Sequence, residues 1–286
     1  MPLSTRMVGA TTDAITHSVD NRWLMSYAAG INDLNPRYMD PQAHALVAHP
    51  VFPVCLEWPV ILTSRKLPGY ETVTPVESAR GVHAAHDLHI YRPIRAGDRL
   101  TTQATVIGLK AIKPGAAQTT RLDTVDETGA LVARTYQLGI SRGVDVVGAP
   151  AEAESAPPPP QPGKTVSAGR DFSIGVPAGA AHVYTECARI WNPIHTDRAV
   201  ALAAGLPDII LHGTATMALA VTRLVDEYLG GNPTRVRRLG GRFSAMVLMP
   251  STLRLTVCGP EDNTLFYTVY TQSGEAAFSQ GFLCFE

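Results

Sequence analysis

Asn192-Pro193-Ile194-His195, followed by Leu211-His212-Gly213 and the apolar run Thr214 to Leu229, is the stretch from which the rest of the chain can be read. A short loop carries an amide and an imidazole, and a glycine-opened helix follows it. The first turn of a helix has N–H groups without intrahelical acceptors, so this order puts an acid/base group beside free backbone donors. Asn35-Pro36-Arg37-Tyr38 repeats the pattern, with Tyr38 where the later copy has His195.

The repeat extends outward from the two loops. Asn192-Pro193 stands 157 residues after Asn35-Pro36. Phe52-Pro53 falls close to Leu211-His212 at nearly the same offset, and Gly97-Asp98-Arg99-Leu100 close to Pro250-Ser251-Thr252-Leu253. In the first half, Asp20 is placed to cap a helix through Ala29, stopped by Gly30. Pro41 to Ala48 reads as a short Ala-rich helical piece. Leu56 to Leu67 reads as a long central helix with Pro59 in its first turn. Period-2 segments follow at His83–Tyr91, Leu100–Leu109, Gln118–Asp126 and Leu131–Ser141.

In the second half, a lead-in strand near Ala181–Tyr184 and a helical piece Glu186–Trp191 precede the loop, and Ala199–Ala204 follows it. Thr214–Leu229 is the central helix. Strands are predicted at Val236–Ser244, Thr252–Cys258, Leu265–Thr271 and Ala276–Phe285. A helix without a polar face needs cover on all sides, and a sheet wrapped around it supplies that. The predicted fold is therefore α+β, with two units, each a long central helix wrapped by an antiparallel sheet. The divisions are 1–142, a Pro-rich linker over 143–168 containing Pro157 to Pro160, and 169–286.

Bulk properties narrow the function. The 286 residues are 45% hydrophobic and 17% charged, enough for a sizeable core. A net charge of −1 argues against a general electrostatic grip on nucleic acid or anionic membrane. Cys55, Cys187, Cys258 and Cys284 are far apart, without metal or redox spacing, so free thiols in a reducing compartment are expected. Met1 to Arg6 has no apolar signal region and no run reaches membrane-spanning length, which gives a cytoplasmic expectation. Strict alternation puts His83 and His89 on one strand face and His86 on the other, so no shared metal is expected.

With Asn192-Pro193-Ile194-His195 and the following Ile210-Leu211-His212-Gly213, the sequence resembles the MaoC-like double hotdog hydratases and dehydratases, which include R-specific enoyl-CoA hydratases. The likeness covers most of both halves, including the turn Arg92-Pro93-Ile94-Arg95-Ala96-Gly97-Asp98. It departs from the family at one chemically central position. The family motif carries an Asp five residues before the His; here that residue is Ile190, and the Ser-Gly pair before it is Ala188-Arg189. In the first half Asp33, Asn35 and Pro36 fit, but Tyr38 replaces the His.

The resemblance implies hydration or dehydration of a 2-enoyl/3-hydroxyacyl thioester, with acyl-CoA or an acyl-carrier protein as partner, no cofactor, and a homodimer of double hotdogs. His195 is then the base, Asn192 orients water or substrate, and the Gly213 N–H receives the thioester oxygen. His212 anchors the loop. Asp33, Glu186 and Asp208 are the carboxylates available to replace the missing acid. Arg235, Arg237, Arg238 and Arg242 form the one dense basic cluster, a candidate for CoA phosphates or else a solvated strand edge. Two other readings stay open: a non-catalytic acyl-thioester-binding or scaffold subunit, favoured by Ile190, and a hotdog thioesterase. The first half is expected to shape the acyl tunnel.

Overall fold

The computed structural model describes residues 2–163 and 169–286; the part of the predicted linker at 164–168 lies outside the described residues. In chain order the strands are β1 Leu3–Ser4, β2 Ile15–Ser18, β3 Gly81–Ile90, β4 Arg99–Ile112, β5 Gly115–Val125, β6 Leu131–Arg142, β7 Val146–Val147, β8 Ala151–Glu152, β9 Arg170–Val176, β10 Val236–Phe243, β11 Ser251–Glu261, β12 Thr264–Tyr270 and β13 Ala276–Phe285. The helices are α1 Asn21–Gly30, α2 Pro36–Met39, α3 Pro53–Thr63, α4 Pro75–Ser78, α5 Ala180–Ala188, α6 Arg198–Ala203 and α7 Gly213–Tyr228.

One sheet runs β2-β4-β5-β6-β3-β10-β13-β12-β11-β9. Its first five strands and its last five, read inward from each edge, follow the same order. In each half the strand before the helices lies at the outer edge, and the strand after them lies at the seam. The seam is the antiparallel pairing of β3 with β10, with Leu239 opposite Leu88 and Arg242 opposite Ala85. This is the α+β double hotdog expected from the sequence. A single main core includes Trp23, Phe52 and Leu88 from one half and Met217, Leu239 and Phe278 from the other.

The central helices pack against the sheet, α3 on β4 and α7 on β13. α7 buries Ala215, Thr216, Met217, Ala218, Ala220, Val221, Leu224 and Val225. Each fully buried Val, Leu or Met side chain stabilises by about 1.5–3 kcal/mol relative to exposure. α3 starts three residues earlier than the apolar run suggested, because Pro53 takes the first helical position, where its missing N–H is harmless. Pro59 therefore lies in the helix interior and not in its first turn.

The helices before the loops, α1 and α5, pack on each other about a pseudo-twofold axis. Tyr27 Oη and Tyr184 Oη, 157 residues apart, lie 3.5 Å from each other. A Cβ on Gly30 would sit 2.6 Å from Cys187 Cβ, so only glycine permits this approach. Asp20 caps α1 by accepting the Trp23 N–H at 2.8 Å, as expected.

Several local readings change. The helix of the first loop is α2, at Pro36–Met39, and 41–48 is turn with a bridge from Val47 to Arg95. The lead-in strand of the second half is β9, and α5 already occupies Ala180–Ala188. The Pro-rich segment is partly tied down: β7 pairs with β1, β8 pairs with β4, and the Pro158 carbonyl accepts from Arg238. No helix among the described residues is long and apolar enough to cross a membrane.

Candidate active site

The two motif loops begin with the same backbone device. Arg189 has φ 57° and Asn32 has φ 56°, and they occupy equivalent places in the repeat, directly before Ile190 and Asp33. A left-handed residue is needed here to end the helix and turn the chain, which is why the family motif carries glycine at this place. Arg189 meets the need with its guanidinium 3.9 Å over the Trp23 ring.

His195 follows on a 3-10 turn, Pro193–His195, and is 9% exposed. Its Nδ1 lies 2.8 Å from the Ile210 carbonyl oxygen. A carbonyl only accepts, so Nδ1 carries the proton and Nε2 is left with its lone pair. Burial pushes the imidazole pKa down to about 4, against the opposing effect of the Ile210 carbonyl. His195 is therefore neutral at neutral pH, and Nε2 is able to accept a proton.

His212 lies flat against it, with ring centroids 3.6 Å apart and planes 25° from parallel. Its Nε2 is 3.2 Å from Thr185 Oγ1 and 3.4 Å from the Ile190 carbonyl oxygen. Burial, and then the neighbouring His195, push the His212 pKa well below the usual value. The loop anchor expected of His212 thus takes the form of a stacked imidazole plate. Thr185 was not singled out in the sequence; a threonine inside a helix gives no signal there.

Gly213 is exposed and opens α7. The first helical bond at this end is Thr216 N–H to the His212 carbonyl at 3.1 Å, which leaves the preceding amides without intrahelical acceptors. Tyr184 Oη donates to Thr214 Oγ1 at 3.1 Å and fixes the first turn from below. A Cβ at Gly213 would lie 2.7 Å from Phe243 Cδ1, so the ring of Phe243 walls this end of the helix. Asn192 Oδ1 makes no cap bond to the turn that follows it.

The carboxylates expected to replace the missing acid are elsewhere. Glu186 is exposed and accepts the Trp191 indole N–H at 3.4 Å. Asp208 pairs with Arg198 at 3.3 Å. Asp33 belongs to the other loop, where its Oδ2 accepts the Thr222 hydroxyl at 2.8 Å. Ile190 is 6% exposed and part of the main core. Among the described residues, no carboxylate bonds to either imidazole.

The first half has the complementary defect. Its counterpart of His212 is His49, not Phe52-Pro53. Ala48 N–H bonds the Ile94 carbonyl just as Leu211 N–H bonds the Val247 carbonyl. Seventeen residues separate His195 from His212, against eleven from Tyr38 to His49, and that longer loop displaced the alignment. Pro50 then stands where Gly213 does. Pro50 and Pro53 have no N–H, the Val51 N–H is taken by His49 Nδ1 at 3.1 Å, and the Phe52 N–H by the His49 carbonyl at 2.8 Å. No free donor is left to hold an oxyanion at this end.

The arginine cluster is largely committed to neighbours. Arg238 forks onto Asp87 at 2.8 and 2.6 Å, Arg237 reaches the Glu286 carboxylate at 2.6 Å, and Arg235 bonds the Glu286 carbonyl. Arg242 alone is exposed. The guard-and-pairing role accounts for three of the four. His83 and His86 are not split between faces: a bulge between His83 and Ala85 turns the two rings to within 5.3 Å of each other.

A family model described as a MaoC-like domain matches residues 163–276, and one described as a FAS1-like dehydratase domain region matches residues 6–135. The chain is 24% identical over 222 residues to the peroxisomal multifunctional enzyme type 2 of Drosophila melanogaster, covering 78% of this chain and 36% of that one. It is 38% identical over 63 residues to the peroxisomal enoyl-CoA hydratase 2 of Arabidopsis thaliana, covering 22% and 20%. The chain thus spans about a third or less of the length of these relatives. Over the whole fold it superposes on a MaoC-like dehydratase of Phytophthora capsici with a TM-score of 0.84 at 21% identity, covering 98% and 97% of the two chains. The second half thus matches a MaoC-like domain, the first half a FAS1-like dehydratase region, and the two-unit sheet is that of the double hotdog fold.

Proposed function

We propose that the protein adds water to, or removes it from, a 2-enoyl/3-hydroxyacyl thioester, with CoA as the carrier group and with the chemistry in the second half. The observation that carries this is the orientation of His195: the Ile210 carbonyl holds Nδ1–H, so Nε2 is free on a ring stacked beside the donor end of α7. In this reading the thioester oxygen lies on the Gly213 N–H. Nε2 takes a proton from water as the water oxygen bonds to C3, and the C2–C3 electron pair moves onto the thioester as an enolate. The enolate then takes the same proton back from the imidazolium at C2. One molecule of water is added and no other group is consumed. A low imidazole pKa makes the first transfer harder and the second easier, since the imidazolium is a strong acid.

A second reading, a non-catalytic acyl-thioester-binding subunit, is favoured by Ile190 occupying the carboxylate position within the core. Loss of the enone absorbance of crotonyl-CoA and longer enoyl-CoAs tests both. Turnover by the wild type that falls at least about a hundredfold in His195→Ala supports the hydratase. Binding of these esters without turnover supports the subunit, and release of free thiol supports a thioesterase. In the same reading the chain divides at 1–142, 143–168 and 169–286, the first part shapes the acyl tunnel, and two chains associate. The four unpaired cysteines fit a reducing compartment such as the cytoplasm.

A further inference from the structure

The first loop opens on a cleft of about 510 Å³, lined by Asp33, Arg37, His44, Thr222 and Asp226 among others. That volume is in the range that holds small ligands. Its floor is built from both halves. His49 Nδ1 accepts the Val51 amide, so Nε2 carries the proton and, at 3.3 Å, donates to Thr222 Oγ1. Thr222 passes the polarity on by donating to Asp33 Oδ2 at 2.8 Å, and the Asn35 amide donates to Asp33 Oδ1 at 3.1 Å. Asp33 is held rigidly at 4% exposure with acceptor capacity left over.

The charged groups of this cleft are not tied into ion pairs, although the Arg223 charge acts on Asp226. Among the described residues Asp33, Asp226 and Arg37 have no ion-pair partner, while the nearby Arg223 is paired with Glu227. Burial and then the Asp226 charge raise the Asp33 pKa, and the buried, unpartnered Tyr38 hydroxyl feels both carboxylates and Arg37. Two carboxylates and one guanidinium favour a ligand with a positive and a negative end over a plain anion. The start of α3 nearby offers no free amide donor for a thioester oxygen.

We propose that this cleft binds a small amino-carboxylate, its ammonium group received by Asp33 and Asp226 and its carboxylate by Arg37. The site uses none of the residues assigned to thioester chemistry, so the two readings fail or stand separately.

Titration calorimetry on the full chain with glycine, β-alanine and 4-aminobutyrate tests it. At least one of the three is expected to bind once per chain. Asp33→Asn and Arg37→Gln should each weaken that binding by at least about tenfold, with His195→Ala unchanged. At mildly acid pH, binding should release protons, because an ammonium group lowers the raised carboxylate pKa values. If β-alanine binds, 3-hydroxypropionate, which lacks the positive end, should bind at least about tenfold more weakly. Silence from all three amino-carboxylates up to about 10 mM overturns the proposal. So does equal binding of 3-hydroxypropionate. Should Asp33→Asn prove unstable, the surface variant Arg37→Gln decides: unchanged affinity there overturns it as well.

Discussion

His86 gives a stability prediction whose size follows from the structure. It is 2% exposed, and neither ring nitrogen has a partner among the described residues. Burial pushes its pKa from 6.5 down to about 4, with the Asp87 charge acting the other way. The folded protein therefore holds the ring neutral, while the unfolded chain protonates it near pH 6.5. Folded stability is then unaffected above pH 6.5 and is lost progressively as pH falls from 6.5 to about 4. At pH 5 the loss is about 2 kcal/mol, and below pH 4 it levels at about 3 kcal/mol. His86→Leu removes this penalty and the two unpaired nitrogens together. Relative to wild type, the variant should be about 2 kcal/mol more favoured at pH 5 than at pH 7.5, or about 1 M in urea midpoint. Glu57, which burial pushes up to about 7, adds stability as pH falls, but equally in both proteins. Urea melts at the two pH values provide the comparison. A midpoint difference that is the same at both would refute the reasoning, since His86 would then not be gaining a proton on unfolding.

Two further changes probe the candidate active site. Gly213→Ala places a Cβ 2.7 Å from Phe243 Cδ1; a cost of about 1–3 kcal/mol from overpacking is expected. Hydration should fall at least about tenfold as the first turn of α7 shifts, a loss of roughly 1.4 kcal/mol of transition-state stabilisation. An unchanged rate would mean that the N-terminus of α7 does not hold the thioester oxygen. Ile190→Asp should cost about 2–3 kcal/mol in lost apolar burial, yet raise the hydration rate at least about tenfold by supplying a second acid/base group. A folded Ile190→Asp protein with no gain on crotonyl-CoA would remove position 190 from the chemistry.

The long strands of both halves were legible, β3 to β6 as closely as β10 to β13. β10 to β13 lie within a few residues of the alternating runs at 236–244, 252–258, 265–271 and 276–285, because one face of each strand is buried and the other is not. Periodicity could not find the bulge between His83 and Ala85, which adds a residue out of phase and brings together two rings that strict alternation separates. Nor could spacing reveal that His49 matches His212, because the loop lengths differ and only the bonds from Ala48 and Leu211 fix the register. The pairing of Arg238 with Asp87 spans 151 residues and carried no local signal. Ile190, Asn192, His195 and Gly213 were legible because they are neighbours in the chain; Thr185, Thr222 and Phe243 reach the two loops only through folding.

The two halves divide what one hydratase site of this family combines. One loop keeps the carboxylate, Asp33, but has Tyr38 for the imidazole and Pro50 at the place where a donor is needed. The other keeps His195 and the donor end of α7 but has Ile190 for the carboxylate. The pseudo-twofold does not reunite them. Asp33 bonds to Thr222, nine residues along α7 from Gly213, and at 1.5 Å per residue that is about 14 Å of helix. Adjacent carbons of one acyl chain cannot touch groups so far apart. On the proposed mechanism, water addition by this chain alone uses His195 for both proton transfers, which predicts a pH–rate profile with a single acid limb near pH 4 and no second ionisation from a carboxylate partner. A bell-shaped or two-step acid limb in a folded protein would show that a second titrating group reaches the substrate, and the one-base cycle would have to be given up.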